Sequence, residues 1–255
     1  MQLNLNADLG ESFGAWSIGD DANLLKVVDS ANVACGFHAG DPLVMSRTLS
    51  LAKESAVSVG AHPSFPDLQG FGRRKMHLSQ AEVEAMVMYQ LAALHGMAQA
   101  HGHRMTHVKP HGALNNMACE DRRLSNSIVA AVKQFDAKLI FLAPVLSELE
   151  TAASEAGLTV AREVFADRAY TDTGSLVPRS EEGAVLSSAD ACIDHIRRMI
   201  DAGGIVSVNG KHLQTDFHSI CVHGDNAHAV DSARRLRESL IGDGHTLSAL
   251  PQLMA

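Results

Sequence analysis

Short apolar runs alternate with longer stretches of helical period along almost the whole chain, the order required when parallel strands are joined by helices. Strands are expected at Leu3–Asp8, Ala31–His38, Val57–His62, Thr106–His111, Lys138–Ala143, Thr159–Phe165, Ile205–Val208 and Ile220–His223. Helices are expected at Leu43–Ser55, Gln80–His101, Arg122–Gln134, Val145–Glu155, Ser188–Ala202 and Ala227–Leu240. Asp41-Pro42 and the Ser79/Glu82 capping box mark helix starts, while Gly157 and Gly203 mark helix ends. With 255 residues, 46% of them hydrophobic, the chain can bury one large core. The fold class is therefore α/β, read as a single (β/α) barrel domain over residues 1–255, with an open doubly wound sheet as the alternative.

Several function classes are disfavoured. The longest apolar stretch, Leu139–Leu146, is far below the ~18 residues of a membrane span. The start of the chain reads as a strand and not as a secretory signal, so a cytoplasmic location is expected. Cys35, Cys119, Cys192 and Cys221 are widely spaced, which suggests neither a zinc knuckle nor a disulfide framework. A formal charge of −8 argues against nucleic acid and for a small-molecule substrate.

Chemistry-bearing residues gather at the C-terminal ends of the expected strands, the face on which barrels place their active sites. Four strands finish on histidine: His38, His62, His111 and His223. Asp8, Lys109 and Glu163 sit at the same ends, with Glu11, Asp41, Asp167, Arg168 and Asp225 just beyond. Two long connections, Pro63–Leu78 and Ala166–Leu186, follow strand ends as well. On the first strand Leu3, Leu5 and Ala7 share one face and Asn4, Asn6 and Asp8 the other, so a polar cavity reaching into the barrel is expected. Asp8, His38, His62, Lys109 and His111 form the expected catalytic set.

His107 and His111 have metal-like spacing, but four residues along a strand span roughly 13 Å, so they are not expected to share an ion. A site built from Asp8, His38 and His62 is left open, and no metal is assigned. The segment Ile205–His212 lacks the first glycine and the Ser/Thr of a phosphate-binding loop, so ATP is not expected to bind here in that way. Gly70-Phe71-Gly72-Arg73-Arg74 is a glycine-rich basic loop suited to a carboxylate or phosphate, or simply a solvated surface loop.

The blocks LNADLGESFG, ANVACGFHAGDP, GAHPSFPD…GFGRR, VKPHGALNN, EVFADRAY…SLVPR and SICVHGDN, in this order along the chain, resemble the LamB/YcsF family, the A subunits of bacterial 5-oxoprolinases. The resemblance implies a TIM-like barrel of as few as seven strands, related to glycoside hydrolases and polysaccharide deacetylases. It also implies hydrolysis of the lactam of 5-oxo-L-proline to L-glutamate, with ATP as co-substrate of a complex containing subunits B and C. The chain departs from the family in carrying Asn115 where a tyrosine is common, and it lacks the paired aspartates of metal-dependent deacetylases.

Under this reading a partner phosphorylates the lactam oxygen and this chain adds water to the activated carbon. Asp8 is the expected base, with His62 second, and Lys109 and His111 are expected to stabilise the oxyanion. Glu11, Asp41, Arg73, Glu163, Asp167, Arg168, His223 and Asp225 form the expected substrate-binding set. Within it, Arg168 or Arg73 would clamp the substrate carboxylate, and the Ala166–Leu186 loop would close over it. Alternatives are a stand-alone metal-dependent hydrolase of a sugar or amide, and a non-catalytic binding subunit.

Overall fold

The computed structural model describes residues 1–222 and 229–255. Along the chain the elements are β1 (Gln2–Leu9), α1 (Asp21–Leu24), β2 (Ser30–Ala34), α2 (Pro42–Glu54), β3 (Ser58–His62), α3 (Gln80–Ala100), β4 (Met105–Val108), α4 (Gly112–Ala118), α5 (Arg122–Asp136) and β5 (Ile140–Pro144). They continue with α6 (Glu148–Glu155), β6 (Val160–Phe165), α7 (Ala189–Ala202), β7 (Gly204–Val206), β8 (His212–Gln214), β9 (Ser219–Val222), α8 (Ala229–Gly242), β10 (Thr246–Leu247) and α9 (Leu250–Leu253). Strands β1 to β6 pair in sequence and β9 joins β6 back to β1, closing a barrel of seven parallel strands. Strand β10 adds only two residues beside the start of β1.

The seventh expected strand, Ile205–Val208, is not in the barrel. Its first two residues lie in β7, which turns back onto β8 as an antiparallel ribbon. Asn209-Gly210, with Gly210 at φ 78°, supplies the tight turn that reverses the chain. Strands β2, β3 and β5 are buried on both faces, as helix-covered parallel strands must be, with Leu3, Leu5, Val59 and Phe141 in the apolar shell.

The inward face of β1 is polar, and among the described residues the space it faces is occupied by hydrogen-bonded polar side chains. Asn4 donates to Ser30 Oγ at 2.9 Å. Asn6 donates to Glu163 and Ser219, and Asn32 donates to Asn6 Oδ1 at 2.7 Å and Asp8 Oδ1 at 2.9 Å. A seven-stranded barrel has room for its own side chains and little more. Gly60 shows how tight the fit is, because a Cβ there would run into the His107 ring, which crosses the interior to reach Asn32 Oδ1 at 3.1 Å. Gly60→Ala is expected to cost about 1–3 kcal/mol through overpacking, read as a lowered urea midpoint. An unchanged midpoint would show that the interior can yield.

Candidate functional site

Of the three described histidines expected to end strands, His38, His62 and His111, only His62 ends one, β3. Strand β2 stops at Ala34, so His38 lies in the turn that leads to α2. Strand β4 stops at Val108, because Pro110 has no N–H to extend the ladder, and His111 becomes the N-cap of α4. All three nevertheless converge at the mouth of the barrel. The His38 and His111 rings stack at 3.8 Å, and His62 stands edge-on to them at 5.6 and 4.8 Å. His223 and Asp225 lie outside the described residues.

Backbone carbonyls set the tautomers. His62 Nδ1 lies 2.7 Å from Lys109 O and His111 Nε2 lies 2.8 Å from Phe71 O, and a carbonyl can only accept. The other nitrogen of each ring, a lone pair whenever that ring is neutral, faces the mouth, where His62 Nε2 and His111 Nδ1 are 3.0 Å apart. Glu11 Oε1 lies 3.5 Å from His111 Nδ1 and 3.2 Å from His38 Nε2. Asp8 Oδ2 lies 3.3 Å from His62 Nε2. One ligand atom from each of Glu11, His38, His62 and His111 falls within 4.8 Å of every other, a possible metal-binding group. It keeps His38 and His62 of the trio left open in the sequence, and Glu11 and His111 complete it. His107 belongs to the barrel interior, away from this group, as its strand spacing implies.

Asp8 projects from the end of β1 with its side chain 12% exposed, and Lys109 Nζ and Asn32 Nδ2 hold its Oδ1 at 3.0 and 2.9 Å. Lys109 lies deeper, 3% exposed, and also donates to Glu163 at 3.0 Å and to Cys221 Sγ at 3.1 Å. Burial alone would depress the Lys109 ammonium, but the Asp8 and Glu163 carboxylates carry it well above the usual lysine range. Burial pushes the Cys221 thiol well up, so it stays protonated. Burial also raises the Glu163 carboxyl, against the pull of Lys109.

The other expected site residues take the following positions. Lys109, expected as an oxyanion donor, sits under Asp8 and pairs with it at 3.0 Å. Glu163, fully buried between Lys109 and Asn6, is part of the barrel interior and not of the rim. Asp41 caps α2, accepting from Leu43 and Val44, and also accepts from Gly14 N at 2.7 Å. Arg168 is buried and donates to Val177 O at 2.7 Å and Ala184 O at 3.4 Å, while Asp167 O accepts from Leu186 N. Both thus tie the Ala166–Leu186 loop to itself, with Arg168 bracing it through backbone carbonyls. The β7–β8 ribbon adds Ser207 and Asn209 to Asp172 of the same loop, so it is cross-linked where a closing lid was expected.

Arg73 remains at the rim, exposed, with its guanidinium 5.0 Å over the Phe71 ring. The loop that carries it is held down by Asp67, which accepts from Gly70 N and pairs with Arg74. Gly72, at φ 64°, lets this loop press on the histidines, since a Cβ there would lie 2.8 Å from the His111 ring and 2.9 Å from His38 Cβ. Sequence reasoning missed Asn6, Asn32, Asp67, Phe71 and Cys221. Asn6 and Asn32 on strands offered a signal, because buried asparagines need partners. At the opposite end of the barrel a cavity of about 650 Å³, lined by Lys26, Glu54 and the Asp29–Arg237 pair, lies far from this chemistry.

Burial drives His107 down to about 3, and it holds His38 and His111 well below the histidine value of 6.5. Between pH 6.5 and 3 the unfolded chain binds a proton at His107 that the native chain excludes, so stability falls as pH falls through that window. Each such histidine contributes a slope of up to ~1.4 kcal/mol per pH unit. Urea midpoints should fall steeply below pH 6.5, and His107→Gln should flatten the slope by about one proton. A midpoint independent of pH over this range would mean that the rings are already charged in the native state.

Residues 3–255 match the LamB/YcsF family. The A subunit of 5-oxoprolinase from Azoarcus sp. strain BH72 is 59% identical over 253 residues, 99% of each chain. The crystal structure of the lactam utilization protein from Thermus thermophilus superposes with a TM-score of 0.92 at 42% identity, covering 98% of this chain and 100% of that one. The catalytic domain of a peptidoglycan N-acetylglucosamine deacetylase from Eubacterium rectale ATCC 33656 shares the fold alone, with a TM-score of 0.54 at 9% identity over 100% of this chain and 90% of that one.

Proposed function

The chain belongs to the LamB/YcsF family, and we propose that it is the hydrolytic subunit of an ATP-dependent 5-oxoprolinase, acting with subunits B and C on the lactam of 5-oxo-L-proline. One observation carries the reading: a carboxylate, Asp8, is pinned by Lys109 and Asn32, yet reaches the rim beside the His62 lone pair. A pinned carboxylate open to solvent on one side is a general base already in position. The names of the similar subunits supply the substrate.

ATP enters as co-substrate through a partner, which transfers its γ-phosphoryl group to the lactam oxygen. Asp8 then takes a proton from a water that adds to the activated carbon. Collapse of the adduct must break the C–N bond, because loss of phosphate at that stage would regenerate the lactam. The ring nitrogen therefore needs a proton as it leaves, and Asp8 can return the one just taken from water. The resulting acyl phosphate and a second water give glutamate and phosphate. Arg73 at the rim supplies a guanidinium for the substrate carboxylate.

Following 5-oxoproline loss and ADP formation with the purified chain alone, with B and C alone, and with all three tests this directly. Glutamate should form only in the full mixture. Turnover by the chain alone without ATP would point to the stand-alone hydrolase instead.

A further inference from the structure

We propose that Glu11, His38, His62 and His111 form a divalent transition-metal site, of the kind that takes Zn²⁺ or Co²⁺. His62 and His111 each give one N–H to a backbone carbonyl, and His62 Nε2 and His111 Nδ1 then face each other at 3.0 Å, a contact that needs a proton or a cation between the two nitrogens. Glu11 Oε1 and His38 Nε2 extend the same convergence at 3.5 and 3.2 Å, and Asp8 Oδ2 closes on it at 3.3 Å.

The separations fit an ion. Ligands bonded at ~2.0–2.1 Å in a tetrahedron lie roughly 3.3–3.4 Å from one another; three of the six separations, 3.0, 3.2 and 3.5 Å, are close to this, and all six are within 4.8 Å, so small side-chain shifts would complete the shell. Three imidazoles and one carboxylate are borderline donors, suited to Zn²⁺ or Co²⁺ more than to Mg²⁺ or Ca²⁺. The two carbonyl bonds are the supports that metal-ligating histidines use to fix ring and tautomer. His38 Nδ1 is buried with no hydrogen-bond partner among the described residues, so Nε2 is the nitrogen through which this ring does its work. The three histidines are buried and Glu11 is partly exposed, which leaves access from the Glu11 side. The nearby Lys109 ammonium is already matched by Asp8 and Glu163, so it does not oppose a cation.

The proposal stands apart from the lactam reading. An empty site would leave Asp8-based hydrolysis intact, and a filled site without lactam turnover would refute that reading and not this one. The test is titration of the chelator-stripped full chain with Co²⁺, followed by visible d–d absorption and by competition with Zn²⁺. One ion per chain is expected, with intense low-coordinate bands and a raised Tm for the wild type. Glu11→Gln and His62→Gln should each weaken binding at least 10–100-fold while retaining a cooperative melt, and the exposed His77→Ala should bind as wild type does. Absence of binding to the folded wild type, or an unchanged Co²⁺ spectrum in folded His62→Gln, would overturn the site.

Discussion

Asp8→Asn is expected to lower glutamate formation by roughly 10²–10⁴-fold in the assembled enzyme, the usual contribution of a positioned general base. The substitution is nearly silent in shape. The amide oxygen can accept from Lys109 and Asn32 as Oδ1 does now, and the amide nitrogen would point its hydrogens at the His62 Nε2 lone pair 3.3 Å away. What disappears is the negative charge that accepts a proton from water. Steady-state kinetics with a parallel thermal melt separates the two effects, and turnover near the wild-type rate in a folded variant would exclude Asp8 as the base.

Lys109→Met is expected to destabilise the fold by about 3–5 kcal/mol, because it leaves buried carboxyl groups without the charge that matches them. Against a typical total of ~5–15 kcal/mol, such a loss threatens folding itself. Asp8 and Glu163 both lie 3.0 Å from the Lys109 ammonium, and Glu163 has no exposure through which water could replace it. Adding Glu163→Gln to Lys109→Met should recover part of the loss, since one of the stranded carboxyls is then gone. Urea unfolding of the two single variants and the double variant measures this coupling. A Lys109→Met chain as stable as wild type would show that the network carries no net charge-pair energy.

These two residues also show how far the sequence could be read. Asp8 and Lys109 were legible because strand periodicity placed Asn4, Asn6 and Asp8 on one face, and because catalytic groups of barrels gather at strand ends. The convergence of His38, His62 and His111 was legible for the same reason, although His38 and His111 reach the mouth from turns and not from strands. The partner of Lys109 in Glu163 was not, since it depends on the register of β6 against β9 and on closure across β1, which no local pattern encodes. Closure also decides strand number. Ile205–Val208 has the composition of a buried strand, and only the Asn209-Gly210 turn signalled that it would fold back as a ribbon. Glu11 was placed near the site but not among the histidines, because its position is set by the irregular turn after β1. Helix α4 was missed because, among the described residues, no side-chain cap bond starts it.

Hydrolysis of the activated lactam is expected on this chain and not on its partners. Rapid-quench mixing of subunits B and C with ATP and 5-oxoproline, with this chain added only after a delay, separates the two. ADP should form before the addition without matching glutamate, glutamate should appear on adding the wild-type chain, and Asp8→Asn should fail to produce it. Glutamate accumulating at full rate before the addition, or released equally well by Asp8→Asn, would contradict the account.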